Sequence, residues 1–162
     1  MMATENREVL LEHIEVNGGG SAQKREVKRL AEWLIYRLLT PRTAHQIYLE
    51  IDLVRHLVTK TGEYGSCDTP WHQGETRYPK AFKIELASNV PMDTLLETLC
   101  HECIHLYQYA TGKLEELSRR PVFRYAGSHY PVNMNYWKQP WEIEAHERSR
   151  PLLEEYYSHK SS

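Results

Sequence analysis

The chain has 162 residues, 41% of them apolar, with 20 basic and 22 acidic side chains and a formal net charge of −2. That length is enough for one domain with its own core, and the balanced charge excludes the broad basic excess of a general nucleic-acid binder. Three cysteines, Cys67, Cys100 and Cys103, give no disulfide framework and suit a reducing compartment.

The first residues, 1–7, lack the basic start and apolar run of a signal peptide. No stretch is apolar for long enough to span a bilayer, so a cytoplasmic location without membrane association is expected. Residues 8–16 fit a short strand or a short helix. Asn17-Gly18-Gly19-Gly20-Ser21 then reads as a flexible linker, so residues 1–21 are expected to form an N-terminal arm. The folded domain is expected over 22–158. Residues 22–39 place Val27, Leu30, Leu34, Ile35 and Leu38 at helical spacing, and Pro41 stops that helix. The basic run 24–29 reads as a solvated helix face, with a nucleic-acid contact as the alternative. Residues 45–58 carry strand alternation in Ile47, Leu49, Ile51 and Leu53.

The region 62–74 reads as turn and loop. Phe82, Ile84 and Leu86 mark a second strand over 80–87. Residues 92–110 predict the strongest helix, with Asn89 or Asp93 as a start signal and Gly112 as a stop. Apolar residues wrap most of its circumference, so it is expected to be buried. Cys100 and Cys103 lie on it and read as small core-filling side chains. Residues 118–140 read as irregular. A last helix is expected over 140–157, with Pro151 as a kink or break, and 159–162 as a frayed tail. Together these elements predict an α+β domain: a small mixed sheet, an N-terminal helix, a central helix and a C-terminal helix.

Within the buried helix lies His101-Glu102-Cys103-Ile104-His105. Histidines four apart share one helix face, where both imidazoles can ligate one tetrahedral zinc ion, Zn2+. Glu102 points the chemistry towards hydrolysis: a carboxylate beside such a pair accepts a proton from water activated by the metal. A catalytic zinc takes a third protein ligand. The sequence offers Glu142 or Glu144 at the start of the last helix, or His129 in the preceding segment. Tyr130, Tyr136 and His146 are candidates for stabilising a developing oxyanion. The strand preceding the helix is a candidate edge for pairing with an extended peptide.

An H-E-x-x-H helix followed by Glu142-Ile143-Glu144-Ala145 resembles the gluzincins, the zincins with a glutamate ligand. The resemblance implies a zincin-like metallopeptidase fold, Glu142 as third ligand and a protein or peptide substrate. Many members carry, after the alanine, an aspartate that hydrogen-bonds a ligand histidine; this chain has His146 there. The stretch 80–109 also resembles SprT-like metallopeptidases, in which a downstream histidine is the common third ligand, implying His129. That resemblance adds a DNA-associated protease as an alternative, although the four-cysteine ribbon of some members is absent. A non-catalytic zinc-binding interaction module is the remaining alternative. Oligomeric state is not legible in the sequence.

Overall fold

The computed structural model describes residues 13–69, 78–117 and 122–161. Four strands, β1 (Ile14–Gly18), β2 (Tyr48–Val54), β3 (Gly65–Asp68) and β4 (Ala81–Ala87), form one sheet in the order β1-β2-β4-β3. The first three neighbours run parallel, and β3 is an antiparallel edge. Alternation decides which side faces inwards. Ile14, Leu49, Ile51, Leu53, Phe82, Ile84 and Leu86 are buried, while Glu15, Glu50, Asp52 and Glu85 take the intervening positions.

Helices α1 (Ser21–Leu38) and α2 (Met92–Ala110) contribute to that core. Val27, Leu30, Ala31, Leu34 and Ile35 form the buried stripe of α1. On α2, Leu95, Leu96, Leu99, Cys100, Cys103, Ile104 and Leu106 are buried. Burial pushes the Cys100 thiol up to about 12, which fits the expected core-filling role. Helix α3 (Pro140–Ser161) packs along α2, and Ala145, Leu152, Leu153 and Tyr156 join the core. Arg150 fastens the two helices, reaching Glu97 at 2.9 Å and Asp93 at 2.6 Å. No described helix is long and apolar enough to cross a membrane.

The expected α+β class holds, but several local expectations do not. The expected linker is structured: Asn17 and Gly18 complete β1, paired with Asp52 and Leu53, and Ser21 begins α1. Gly18 and Gly19 take φ of +80° and +67°, values suited to glycine. The turn is tight enough that a Cβ on Gly18 would lie 2.4 Å from the Leu53 carbonyl oxygen. Gly18→Ala is therefore expected to cost about 1–3 kcal/mol, read as a lower thermal midpoint. An unchanged midpoint would restore the flexible-linker reading. Residues 1–12 of the expected arm lie outside the described residues.

The region expected as loop over 62–74 contains β3, and its later part, 70–74, lies outside the described residues. The expected edge, β4, is an interior strand; β3 covers its free side. Pro151 does not break α3, which continues to Ser161 through most of the expected tail. The segment expected to be irregular instead holds β6 (Val122–Tyr125) and β7 (Ser128–Pro131), which join β5 (Leu114–Leu117) in a second, antiparallel sheet. Phe123, Tyr125 and Tyr130 from this sheet gather around Trp141 at the start of α3, with ring centroids 4.9, 6.2 and 6.0 Å away. The small sheet thereby buttresses the helix turn that carries Glu142.

Candidate metal centre

His101 and His105 lie one turn apart on α2, their rings edge to face with centroids 4.9 Å apart. Helix α3 crosses so that its first turn points Glu142 at both. Glu142 Oε1 lies 3.1 Å from His101 Nε2 and 3.1 Å from His105 Nε2. The two Nε2 atoms are 3.2 Å apart. Three ligands at tetrahedral angles and at about 2.0–2.1 Å from zinc would sit about 3.3 Å from one another. The three atoms thus converge at nearly the spacing that one small divalent cation demands, and their N/N/O chemistry suits zinc among several metals.

His101, Glu142 and His146 form a related grouping, their ligand atoms within 4.8 Å of one another. His105 is equally a partner for His101 and Glu142: its Nε2 lies 3.2 Å from His101 Nε2 and 3.1 Å from Glu142 Oε1, and its side chain is buried. His146 is exposed, meets the His101 ring edge to face with centroids 4.5 Å apart and lies 2.9 Å from the Tyr136 hydroxyl. Tyr136 belongs to a short 3-10 turn (Tyr136–Lys138) just before α3, and its hydroxyl also donates to Glu142 Oε1 at 2.9 Å.

Electrostatics follow from this crowding. Burial pushes the Glu142 carboxyl up, but hydrogen bonds from His101, His105 and Tyr136 outweigh it and hold the group well below the usual carboxylate range. Burial pulls His105 down, yet the hydrogen bond and charge of Glu142 prevail and raise it above the ordinary histidine value. Among the described residues, Glu102 has no such hydrogen bonds. Only 6% exposed, its carboxyl is pushed by burial up to about 7, a rise that His105 and His101 only partly offset.

All these groups line one cleft of about 810 Å³, with β3 as one wall and the start of α3 as the other. Gly65 of β3 makes room for Glu102: a Cβ there would lie 3.2 Å from Glu102 Oε2 and 2.7 Å from Thr98 Cγ2. Tyr64 and Trp137 also line the cleft and are 53% and 72% exposed, so both offer apolar surface to a ligand.

The structure brings together His101, Glu102, His105, Glu142, Tyr136 and His146. It does not bring His129, Tyr130 or Glu144 into the cleft. His129 is exposed on β7, opposite Arg124. Tyr130 packs on Trp141 instead. Glu144 turns away to Lys113 at 2.7 Å, Tyr125 at 2.8 Å and Gln108 at 2.8 Å. Its carboxyl, pushed up by burial, is nevertheless held low by those three hydrogen bonds.

Sequence reasoning missed Gln108. Fully buried, it lies 2.8 Å from His105 Nδ1 through its Oε1. The available signal was its position, three residues beyond His105 on the same helix, where side chains meet. Compared with known proteins, the chain has no significant match among family models, curated proteins or solved structures.

Proposed function

We propose that this chain is a zinc-dependent hydrolase of peptide bonds with a zincin-like arrangement of sheet and helices. One observation carries the reading: three ligand atoms converge at 3.1–3.2 Å beside the carboxylate of Glu102 in a single open cleft. Ligands of this type with no catalytic neighbour would serve a structural site equally well; Glu102 is what favours chemistry.

His101, His105 and Glu142 would hold the metal. Zinc, when bound, supplies a Lewis acid and a water acidified to about pKa 7. Glu102 accepts the proton that the attacking water loses and returns it to the leaving amine. Tyr136 and His146, 2.9 Å apart on the cleft wall, would serve as donors to the carbonyl oxygen, Tyr136 by turning its single O–H from Glu142 Oε1 to the substrate. The outer edge of β3 borders the same cleft, so an extended polypeptide can pair with it and present a bond to Glu102.

A polypeptide fits better than a nucleic acid because, among the described residues, no lysine or arginine lines the cleft. The experiment is digestion of a mixed peptide library by the purified chain. Cleavage is expected with zinc, loss of cleavage with a chelator, and recovery when zinc is returned. Stoichiometric zinc without cleavage of any peptide would overturn the hydrolase and favour a binding module. Cleavage that persists after chelation would remove the metal from the reaction.

A further inference from the structure

We infer that Gln108 is the positioning residue for His105, and that Glu144, although outside the cleft, fixes the direction in which Gln108 acts. The inference rests on the metal-binding half of the reading above. It does not need the hydrolytic half.

Donors and acceptors fix which way the Gln108 amide faces. Gln108 Nε2 lies 3.0 Å from the Trp141 carbonyl oxygen and 2.8 Å from Glu144 Oε1. A carbonyl and an ionised carboxylate only accept, so both demand the amide NH2 end of Gln108. The amide cannot turn over without setting its oxygen against two acceptors in a dry site, where unpaired polar atoms are costly. Its oxygen therefore faces His105 Nδ1 at 2.8 Å, and an acceptor there requires a proton on Nδ1. In the neutral ring Nε2 is then bare, and its lone pair points at Glu142 Oε1 and His101 Nε2, 3.1 and 3.2 Å away.

Two lone pairs so close call for a cation between them. Glu144 is itself pinned by Lys113, Tyr125 and Arg148, so the chain of control starts on the small sheet and ends at a metal-binding nitrogen. A glutamate in place of Gln108 could accept from His105 but would lose both donated bonds. This explains why an amide, not a carboxylate, occupies the position. It also supplies, from α2 itself, the support that the resemblance would place at the position of His146.

Two measurements test the inference. In zinc-free protein well above the ordinary histidine pKa, long-range nitrogen–proton NMR spectra should show His105 as the Nδ1-protonated tautomer alone. In Glu144→Gln, where one of the two acceptors is weakened and the Trp141 carbonyl remains, the Nε2-protonated tautomer should appear as a minor species, and its complete absence would remove Glu144 from the inference. Zinc affinity, read by chelator competition, should fall about 10–100-fold in Gln108→Leu, as is typical when a ligand histidine loses its hydrogen-bond partner, and by a smaller factor in Glu144→Gln. An Nε2-protonated His105 in the unsubstituted chain would overturn the proposal whether or not the variants fold. So would zinc affinity unchanged in a folded Gln108→Leu. Peptide cleavage enters neither readout, so failure of the hydrolase reading remains a separate result.

Discussion

Replacing Glu102 by glutamine is expected to lower peptide hydrolysis about 10²–10⁴-fold, the usual worth of a general base, while leaving zinc content unchanged. Glutamine keeps the shape and can sit in the same space beneath Gly65, but it cannot take a proton from water. The proposed metal ligands are other residues, so binding should persist. Cleavage rates and metal analysis on the same sample check both halves. Retained activity would show that Glu102 is not the base, and lost zinc would show that its role is structural.

The same substitution has a thermodynamic signature. With no metal bound, burial pushes the Glu102 carboxyl up to about 7 from its ordinary value of 4.5. Between those pH values the folded chain holds a proton that the unfolded chain has released. The unsubstituted protein therefore loses stability as pH rises through that window, and Glu102→Gln does not. The full difference amounts to about 3 kcal/mol. Urea unfolding in chelator across the window should show the variant gaining on the parent as pH rises. Parallel curves would mean that the carboxylate is better solvated than its burial implies. A nearby divalent cation favours the ionised form, so zinc should narrow the gap.

The second large effect is expected at Glu142. Glu142→Gln should weaken zinc binding by more than the about 10–100-fold typical of losing an outer hydrogen bond, because a charged ligand itself is lost. His129→Ala should leave affinity unchanged, since His129 is exposed on β7 and outside the cleft. Chelator competition on both variants decides between the two third ligands. A zinc loss in His129→Ala with none in Glu142→Gln would reverse the assignment.

Much of this arrangement was legible in the chain, and the exceptions have physical causes. The long periodic elements were readable: the alternation of Phe82, Ile84 and Leu86 and the apolar girth of α2 both appear as burial. The approach of Glu142 to His101 and His105 was foreshadowed only by the resemblance that Glu142-Ile143-Glu144-Ala145 carries. The small sheet was not. Its strands are four residues long, too short for alternation to show. The β6–β7 turn uses Ala126 at φ +49° before Gly127 at +87°, where an Asn-Gly pair is the usual cue. The glycine run at 17–21 misled in the opposite sense, because the same residues serve a floppy linker and a tight strand-to-helix turn. Gln108 was invisible for a third reason: its role exists only once Trp141 and Glu144, 33 and 36 residues away, fold against it.

His105 and Glu142 are 37 residues apart in the chain, and strands β5, β6 and β7 all lie between them. An ion gripped by both residues closes that stretch into a loop. The configurational freedom removed by closing a loop of this size scales to about 3 kcal/mol, and it must be supplied by other contacts when the ion is gone. The ion would thus act as a clasp on the accessory sheet, while the core beneath α1 would hardly register its departure. Amide hydrogens of β5 to β7 should then exchange faster after chelation, with those of β2 and β4 unmoved. Removing the ion is thus expected to leave the four-stranded frame intact and to loosen the three-stranded sheet that backs the start of α3.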